Sequence, residues 1–152
     1  MTIKLSLEPV WMKVARTYLG VARGTLHKNP KVIEFYAEAG HPEIKDDHVS
    51  YCAAFVGAIL KECNLPHTGT LLALDYAKYG QHLTKPAIGA IFTMHRPGFT
   101  GAGHTGFVAD FDDTHISSLG GNQGSTHKVC IDRIARSAIN SYSWPPGVPL
   151  PV

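Results

Sequence analysis

The chain has 152 residues, of which 44% are hydrophobic and 17% charged, and its formal net charge at pH 7 is +2. These values are typical of one soluble globular domain, and so small a charge on scattered Lys and Arg does not favour a nucleic-acid partner. No apolar run has the length of a membrane-spanning helix, so we expect no membrane insertion. The three cysteines are too few and too widely spaced for a disulfide framework, and no zinc-binding motif accompanies the nine histidines. We therefore expect a single domain, residues 1–152, without a metal or other cofactor.

The first half of the chain predicts helices. Apolar residues recur at helical spacing in residues 9–20, which begin with a proline and end with a glycine. Asn29 is a suitable N-cap for a second helix over 29–40. After a polar connector, a third helix is expected from residue 52 to about 64 and a shorter fourth within 70–80.

The second half predicts strands. Short runs with β-branched or aromatic residues are separated by Gly, Asp and Asn at 87–96, 104–111, 115–121 and 128–135. They indicate an antiparallel sheet of about four to five strands, and the proline-rich tail after it is expected on the surface. Helices followed by strands predict an α+β domain in which N-terminal helices pack on a C-terminal antiparallel sheet.

Cys52 begins the third predicted helix, in the stretch SYCAAFVGAIL, and two interpretations are open. It lies on the apolar face of that helix, where free cysteines often serve only as small packing residues. If Ser50 is the N-cap, however, Cys52 lies in the first turn, where unpaired N–H groups and the helix dipole stabilise a thiolate. Cys63, at the other end of the same face, and Cys130, in a strand pattern, have only the packing interpretation.

A thiol nucleophile needs a base, and His104 is the favoured histidine. It opens a strand pattern after a glycine-rich loop, where small neighbours such as Gly103 leave room for a substrate, although a structural role is also open. Asn122, on the next predicted strand, would accept a hydrogen bond from the far ring nitrogen and fix the tautomer. Gln123, one position along, is expected to face the opposite side of that strand. The alternative is that this glycine-rich segment is only a turn.

The order of these three residues resembles that of NlpC-like and CHAP cysteine peptidases, which have papain-like folds and cut peptide bonds of the bacterial cell wall. The resemblance is strongest to a small single-domain subgroup found in phages and bacteria, and it covers roughly residues 9–145. The matching segments are PVWMKVARTYLGV, HKNPKVIEFY, YCAAFV preceded by Asp47, LLALDYAKYG, AIGAIFTMHR, GHTGFV, LGGNQ and SYSWP.

The chain departs from that family pattern at two positions. Tyr51 stands where the family usually has Trp before the nucleophile. Ala90 stands where an acidic residue commonly follows the glycine that starts the first strand. Neither change removes a catalytic group, so we expect activity to be kept and only the shape of the pocket to differ.

The resemblance implies a peptidoglycan hydrolase with Cys52 as nucleophile, His104 as base and Asn122 as the orienting residue. The bond that is cut stays open between the D-Ala–diaminopimelate peptide bond and the muramoyl–L-Ala amide. The residues expected to line the substrate cleft are Tyr51, Asp47, His48, Gly103 and Gln123. Asp47 has the alternative role of pinning its loop, and Asp46 with Asp47 is too small a group to predict a calcium site.

The N-terminal residues contain no apolar segment of the kind found in cleaved signal peptides. We therefore expect synthesis in the cytoplasm and action on the cell wall after release through a holin or by secretion. A monomeric phage endolysin acting on the peptidoglycan stem peptide is the favoured hypothesis. The alternatives are an antibacterial effector with the same chemistry, and a non-hydrolytic binding module or thiol acyltransferase on a papain-like fold.

Overall fold

A computed structural model of the chain describes residues 8–24, 29–47, 49–95, 103–124 and 126–151. Helices come first, as predicted: α1 (Val10–Arg16), α2 (Pro30–Glu38) and α3 (Cys52–Glu62). Where a fourth α-helix was expected, a 3₁₀ helix forms over Ala73–Lys78. Within the described ranges, none of the helices has the length and apolar character needed to cross a membrane.

The beginnings of α2 and α3 differ in their capping. Asn29 caps α2 as predicted, because its side chain accepts a hydrogen bond of 3.0 Å from the N–H of Lys31. Ser50, the N-cap assumed in one of the two interpretations of Cys52, does not cap α3: Tyr51 occupies the N-cap position, and no side-chain hydrogen bond caps the helix among the described residues. The first N–H groups of α3 therefore lack a side-chain acceptor from that part of the chain.

In the described part of the chain, six antiparallel strands form one open sheet in the order β1-β6-β2-β3-β4-β5. They are β1 (Gln81–Leu83), β2 (Ile91–His95), β3 (Gly103–Phe111), β4 (His115–Gln123), β5 (Lys128–Ala135) and β6 (Ser141–Trp144). The α+β class is confirmed, whereas the predicted number of four to five strands is too low. The additional strands, β1 and β6, have three and four residues, which is too short for a clear alternating pattern.

The core lies between the helices and one face of the sheet. Helix α3 packs on β3 and β4, and α2 packs on α3. Phe55 links the layers, with ring centroids 5.2 Å from Phe35 of α2 and 6.2 Å from Phe107 of β3. Gly121 permits this close packing, because a Cβ there would lie 2.8 Å from Cβ of Phe55 and 2.9 Å from the ring of Tyr51. The start of α3 is thereby brought against the end of β4.

The end of β4 is irregular. Its register against β5 shifts between Gly120 and Gln123, and Asn122 within that segment has a left-handed backbone with φ of 61°. Three residues of β4 span the distance covered by two of β5, which is the pattern of a β-bulge. An extra residue reverses the alternation of side chains beyond it, so Gln123 turns to the side occupied by Ser118.

Candidate active site

The Cys52 thiol lies at the start of α3 and is 2% exposed. Burial by itself raises the pKa of this thiol, but a hydrogen bond with the His104 side chain and the charge of its imidazolium lower it. The backbone N–H of Thr105 and the hydroxyl of Ser50, whose Oγ is 3.9 Å from Sγ, also favour the thiolate. The lowering effects prevail, and the pKa of Cys52 lies below the ordinary value for a thiol.

The start of α3 also provides backbone donors beside the thiol. The first intrahelical bond here runs from the N–H of Phe55 to the carbonyl of Tyr51, at 2.8 Å. The N–H groups of residues 52–54 precede that bond and point out of the helix end, as in any α-helix. Donors in this position can hold the oxyanion that forms when a thiolate attacks a carbonyl carbon.

His104, on β3, connects the thiol to β4. Its ring packs 5.8 Å from that of Phe92, and its Nε2 lies 2.8 Å from Oε1 of Gln123. Because Nε2 is engaged by Gln123, Nδ1 is the nitrogen that is left for the hydrogen bond with Cys52. The two ring nitrogens thus face a thiol and a carboxamide, as a general base and its orienting group require.

The carboxamide of Gln123 has a defined orientation. Its Nε2 donates to the carbonyl oxygens of Ser118, at 3.2 Å, and Cys130, at 2.8 Å. Its Oε1 therefore faces His104 and also accepts the Ser118 hydroxyl at 2.6 Å. Because an amide oxygen only accepts, the proton of the neutral imidazole resides on Nε2, and Nδ1 can take the thiol proton. Gly120 makes room for this group, since a Cβ there would lie 2.6 Å from Oε1.

Asn122 occupies a different place from the one predicted. It was expected to orient His104, but its Nδ2 donates to Oγ of Ser50 at 3.2 Å, and the imidazole contact belongs to Gln123. The β-bulge is the physical reason, because the expectation assumed regular alternation along β4. The paired glycines before Asn122 were the available signal, since glycine inside a strand often marks a bulge.

Two of the residues expected to line the cleft face elsewhere. Tyr51 is fully buried, and its hydroxyl accepts from the backbone N–H of Asn122 and donates to the carbonyl of His127 at 2.5 Å. Burial raises the pKa of Tyr51 to about 12, so it stays a donor at neutral pH. The open side of Gly103 is filled by Leu74, whose Cδ2 would lie 2.5 Å from an added Cβ. Tyr51 positions the cleft wall from behind and does not line it.

Asp47 has the second of its two expected roles. It is fully buried, and its Oδ2 accepts hydrogen bonds from the backbone N–H groups of Gly24, at 2.6 Å, and Asn29, at 2.8 Å. It thereby pins the segment before Cys52 to the chain that leads into α2. His48, also expected at the cleft, lies outside the described residues.

A cleft of about 290 Å³ lies beside His104 and Gln123. This volume is close to the lower limit of about 300 Å³ for small-molecule sites, which suits one or two peptide residues. The remaining wall residues are Met94, Asn122, Gly124, His127, Asp132 and Ile134. Of these six, only Asn122 was predicted from the sequence as a site residue. In the ranges that the structure describes, no three His, Cys, Asp or Glu side chains are grouped as metal ligands would be.

Cys52, His104 and Gln123 are thus brought together from α3, β3 and β4. A thiol with a lowered pKa, a base and an orienting acceptor are the groups needed for covalent acyl transfer. Comparison with protein-family models, curated proteins and solved structures finds no match for this chain.

Proposed function

We propose that this protein is a cysteine hydrolase that cuts a peptide or amide bond of bacterial peptidoglycan. The observation that carries the proposal is the contact between the Cys52 thiol, whose pKa is lowered, and an imidazole held by Gln123. The choice of peptidoglycan rests on the resemblance of the ordered sequence segments to NlpC-like and CHAP peptidases. A papain-like arrangement of helix and sheet is part of the same proposal.

In the first half of the reaction, Nδ1 of His104 takes the thiol proton and Sγ of Cys52 bonds to the carbonyl carbon. The carbonyl oxygen becomes an oxyanion, which the N–H groups at the start of α3 stabilise. When the tetrahedral intermediate collapses, the C–N bond breaks and the imidazolium protonates the leaving amine. The product is a thioester on Cys52.

In the second half, water replaces the amine. The neutral His104 accepts a proton from water, whose oxygen attacks the thioester carbon. The C–S bond breaks, the acid product leaves, and the proton returns to the thiol. Throughout, the hydrogen bond from Nε2 of His104 to Gln123 fixes the orientation of the imidazole, so that Nδ1 stays directed at the reacting atoms.

A monomeric phage endolysin is the biological role that we favour, and an antibacterial effector has the same chemistry. The distinction lies in the genetic neighbourhood, where a holin gene indicates a lysin and an immunity gene indicates an effector. The D-Ala–diaminopimelate bond and the muramoyl–L-Ala amide are both suitable substrates for this mechanism.

The test is digestion of isolated sacculi, followed by turbidity and by mass spectrometry of the released fragments. We expect the wild type to clear the suspension and the fragments to identify the bond. Cys52→Ala should lower the rate by about a thousandfold or more. Cys63→Ala is the matched control, because this thiol is at the C-cap of the same helix, at the opposite end from Cys52.

Three results would contradict parts of the proposal. Unchanged turbidity with the wild type would exclude peptidoglycan hydrolysis. Equal rates for Cys52→Ala and the wild type would exclude Cys52 as the nucleophile. Transfer of the acyl group to an added amine, with no hydrolysed product, would identify an acyltransferase instead.

A further inference from the structure

We propose that the hydroxyl of Ser50 is a further catalytic group, which donates a hydrogen bond to the reacting sulfur of Cys52. Asn122 is the positioning residue that directs this hydroxyl at the sulfur. The inference deepens the proposed function, on which its catalytic part rests, because it gives the nucleophile a side-chain donor besides His104. It also gives Asn122 a role on the side of the nucleophile instead of the side of the base.

Ser50 lies two residues before the nucleophile, in the exposed segment that leads into α3. Its Oγ is 3.9 Å from Sγ of Cys52. This distance is long for a hydrogen bond to sulfur, but catalytic hydrogen bonds in free enzymes are often long and tighten as the reaction proceeds. A thiolate is a stronger acceptor than a thiol, so ionisation of Cys52 draws the hydroxyl closer.

The direction of this hydrogen bond follows from Asn122. The amide nitrogen Nδ2 of Asn122 donates to Oγ of Ser50 at 3.2 Å, because an amide nitrogen acts only as a donor. The oxygen of Ser50 is thereby the acceptor, and its own proton is left for another partner. Within the described part of the chain, Sγ of Cys52 is the other atom that shares a hydrogen bond with this hydroxyl. The hydroxyl therefore donates to the sulfur.

Asn122 is fixed in the position from which it holds Ser50. It belongs to the β-bulge at the end of β4, and its left-handed φ of 61° is one that Asn tolerates well. Its backbone N–H is bound by the hydroxyl of Tyr51, and the residue is only 8% exposed. A serine hydroxyl on an exposed segment otherwise rotates freely among water partners. The bond from Asn122 selects the rotation that serves Cys52.

The Ser50 hydroxyl contributes to the ionisation of Cys52 in a different way from His104. Burial raises the pKa of the thiol, and the hydrogen bond and charge of His104 oppose this effect most strongly, followed by the N–H of Thr105 and the hydroxyl of Ser50. The charge of His104 comes and goes as the imidazole exchanges its proton, whereas the hydroxyl stays a donor throughout. When the C–S bond of the thioester breaks, its electron pair returns to sulfur, and Ser50 donates to the thiolate that forms.

The first experiment measures the ultraviolet absorbance of the Cys52 thiolate against pH, with the spectrum of the matching Cys52→Ala protein subtracted. Ser50→Ala should move the transition to higher pH, because a donor to the thiolate is lost. Ser50→Thr keeps the hydroxyl and should restore the wild-type transition. Ser137→Ala is the matched control, since this exposed serine lies in the 3₁₀ helix Arg136–Ala138, at the opposite end of β5 from Gln123.

An unchanged transition in Ser50→Ala would overturn the role of the hydroxyl. A shift in Ser50→Thr as large as that in Ser50→Ala would overturn it as well, because the effect would then come from the backbone or the packing. This measurement needs no turnover. Absence of hydrolysis by the wild type would therefore contradict the proposed function, while the thiolate titration would still decide the inference.

The second experiment measures kcat/KM for soluble muropeptides against pH, because its acidic limb reports the ionisation of the free enzyme. In Ser50→Ala this limb should move to higher pH, with about a fivefold lower kcat/KM on the limb and little change on the plateau above it. Ser50→Thr should follow the wild-type profile. A loss of the same size at every pH would indicate damage to substrate binding and overturn the catalytic role of Ser50.

Asn122→Gly removes the amide donor but keeps the left-handed backbone and its N–H bond to Tyr51. The Cys52 transition should move upward by less than in Ser50→Ala, because the hydroxyl remains but is no longer directed. In the double variant with Ser50→Ala, the shift should equal that of Ser50→Ala alone, since Asn122 acts through Ser50. Additive shifts would overturn the role of Asn122. A downward shift in Asn122→Gly would also overturn it, because the amide would then have been taking the Ser50 proton.

Discussion

Two cysteines of the same helix have opposite electrostatic surroundings. Burial raises the pKa of Cys63, which follows the last turn of α3, and the charge of Glu62 raises it further. Burial has the same direction at Cys52, but His104 and the groups beside it reverse the outcome. The helix dipole adds to the contrast, because it favours an anion at the start of a helix and disfavours one at the end.

We therefore predict that the two thiols ionise in different pH ranges. The measurement is the ultraviolet absorbance of the thiolate against pH, with each thiol isolated by subtracting the spectrum of its Cys→Ala variant. Cys52 should ionise below the range of a free cysteine, and Cys63 above it. His104→Ala should move the Cys52 transition upward, because the hydrogen bond and the imidazolium charge are lost.

Gln123→Leu should give a smaller upward movement of the same transition, since the imidazole remains but loses its orienting acceptor. Coincident transitions for Cys52 and Cys63 would contradict the pairing of thiol and imidazole. An unchanged Cys52 transition in His104→Ala would contradict it as well.

At the scale of elements, the sequence predicted the helix that carries Cys52 and the strand that carries His104, because both depend on local periodicity. The partner of His104 depends on a single inserted residue. A strand has a period of two, so one bulged residue exchanges the sides of Asn122 and Gln123. Composition does not determine where such a bulge falls; Gly120 marks it because the side chain of Gln123 needs the space.

Tyr51 connects the start of α3 with the end of β4 and the beginning of β5. The residue precedes the nucleophile, and its hydroxyl connects the backbone of Asn122 at the end of β4 with that of His127 before β5. Its ring is stacked on Phe35 at 6.2 Å, so the aromatic ring belongs to the core. Tyr51 thus transmits the position of α3 to the cleft wall.

Tyr51→Phe should keep the core packing and lose only the hydroxyl. We predict that the free energy of unfolding falls by about 1–2 kcal/mol and that KM for peptidoglycan fragments rises several-fold. Urea denaturation and steady-state kinetics measure the two effects. The matched control is Tyr79→Phe. It removes a hydroxyl that donates to the carbonyl of Pro66 at 2.5 Å. Tyr79 lies just before β1, at the opposite edge of the sheet from β5. It should destabilise by a similar amount with an unchanged KM; equal changes in KM would contradict the role of Tyr51.

At the scale of the whole molecule, the α+β class could be predicted because helical and strand periodicities occupy separate halves of the chain. The extent of the sheet could not. β6 is inserted between β1 and β2, and its pairing depends on contacts between residues distant in sequence, such as Gln81 with Trp144. Asp47 has a comparable long-range role, since its hydrogen bonds reach back to the chain before α2.

The C-terminal ends of α1, α2 and α3 meet at a group of carboxyls, at the opposite end of α3 from Cys52. Tyr18, just after α1, donates to the carboxylate of Glu62 at 2.8 Å. Burial raises the pKa of Glu38, at the end of α2, to about 7, and the hydrogen bond and charge of Glu62 and the charge of Glu34 act in the same direction. The C-terminal ends of α2 and α3 also disfavour anions. A protonated Glu38 therefore helps to hold the helices together.

This arrangement predicts that the fold loses stability as Glu38 ionises. Because the folded pKa of about 7 is above the unfolded value of 4.5, the stabilisation is complete below pH 4.5 and is lost as the pH rises through about 7. Thermal unfolding of the wild type should therefore occur at a lower temperature at about pH 8 than at about pH 5. Glu38→Gln should remove most of this difference by raising the unfolding temperature at the higher pH. The matched control is Glu34→Gln, on the exposed side of α2, which should change the unfolding temperature at the higher pH by less. A change as large as that of Glu38→Gln would assign the pH dependence to the general charge on α2.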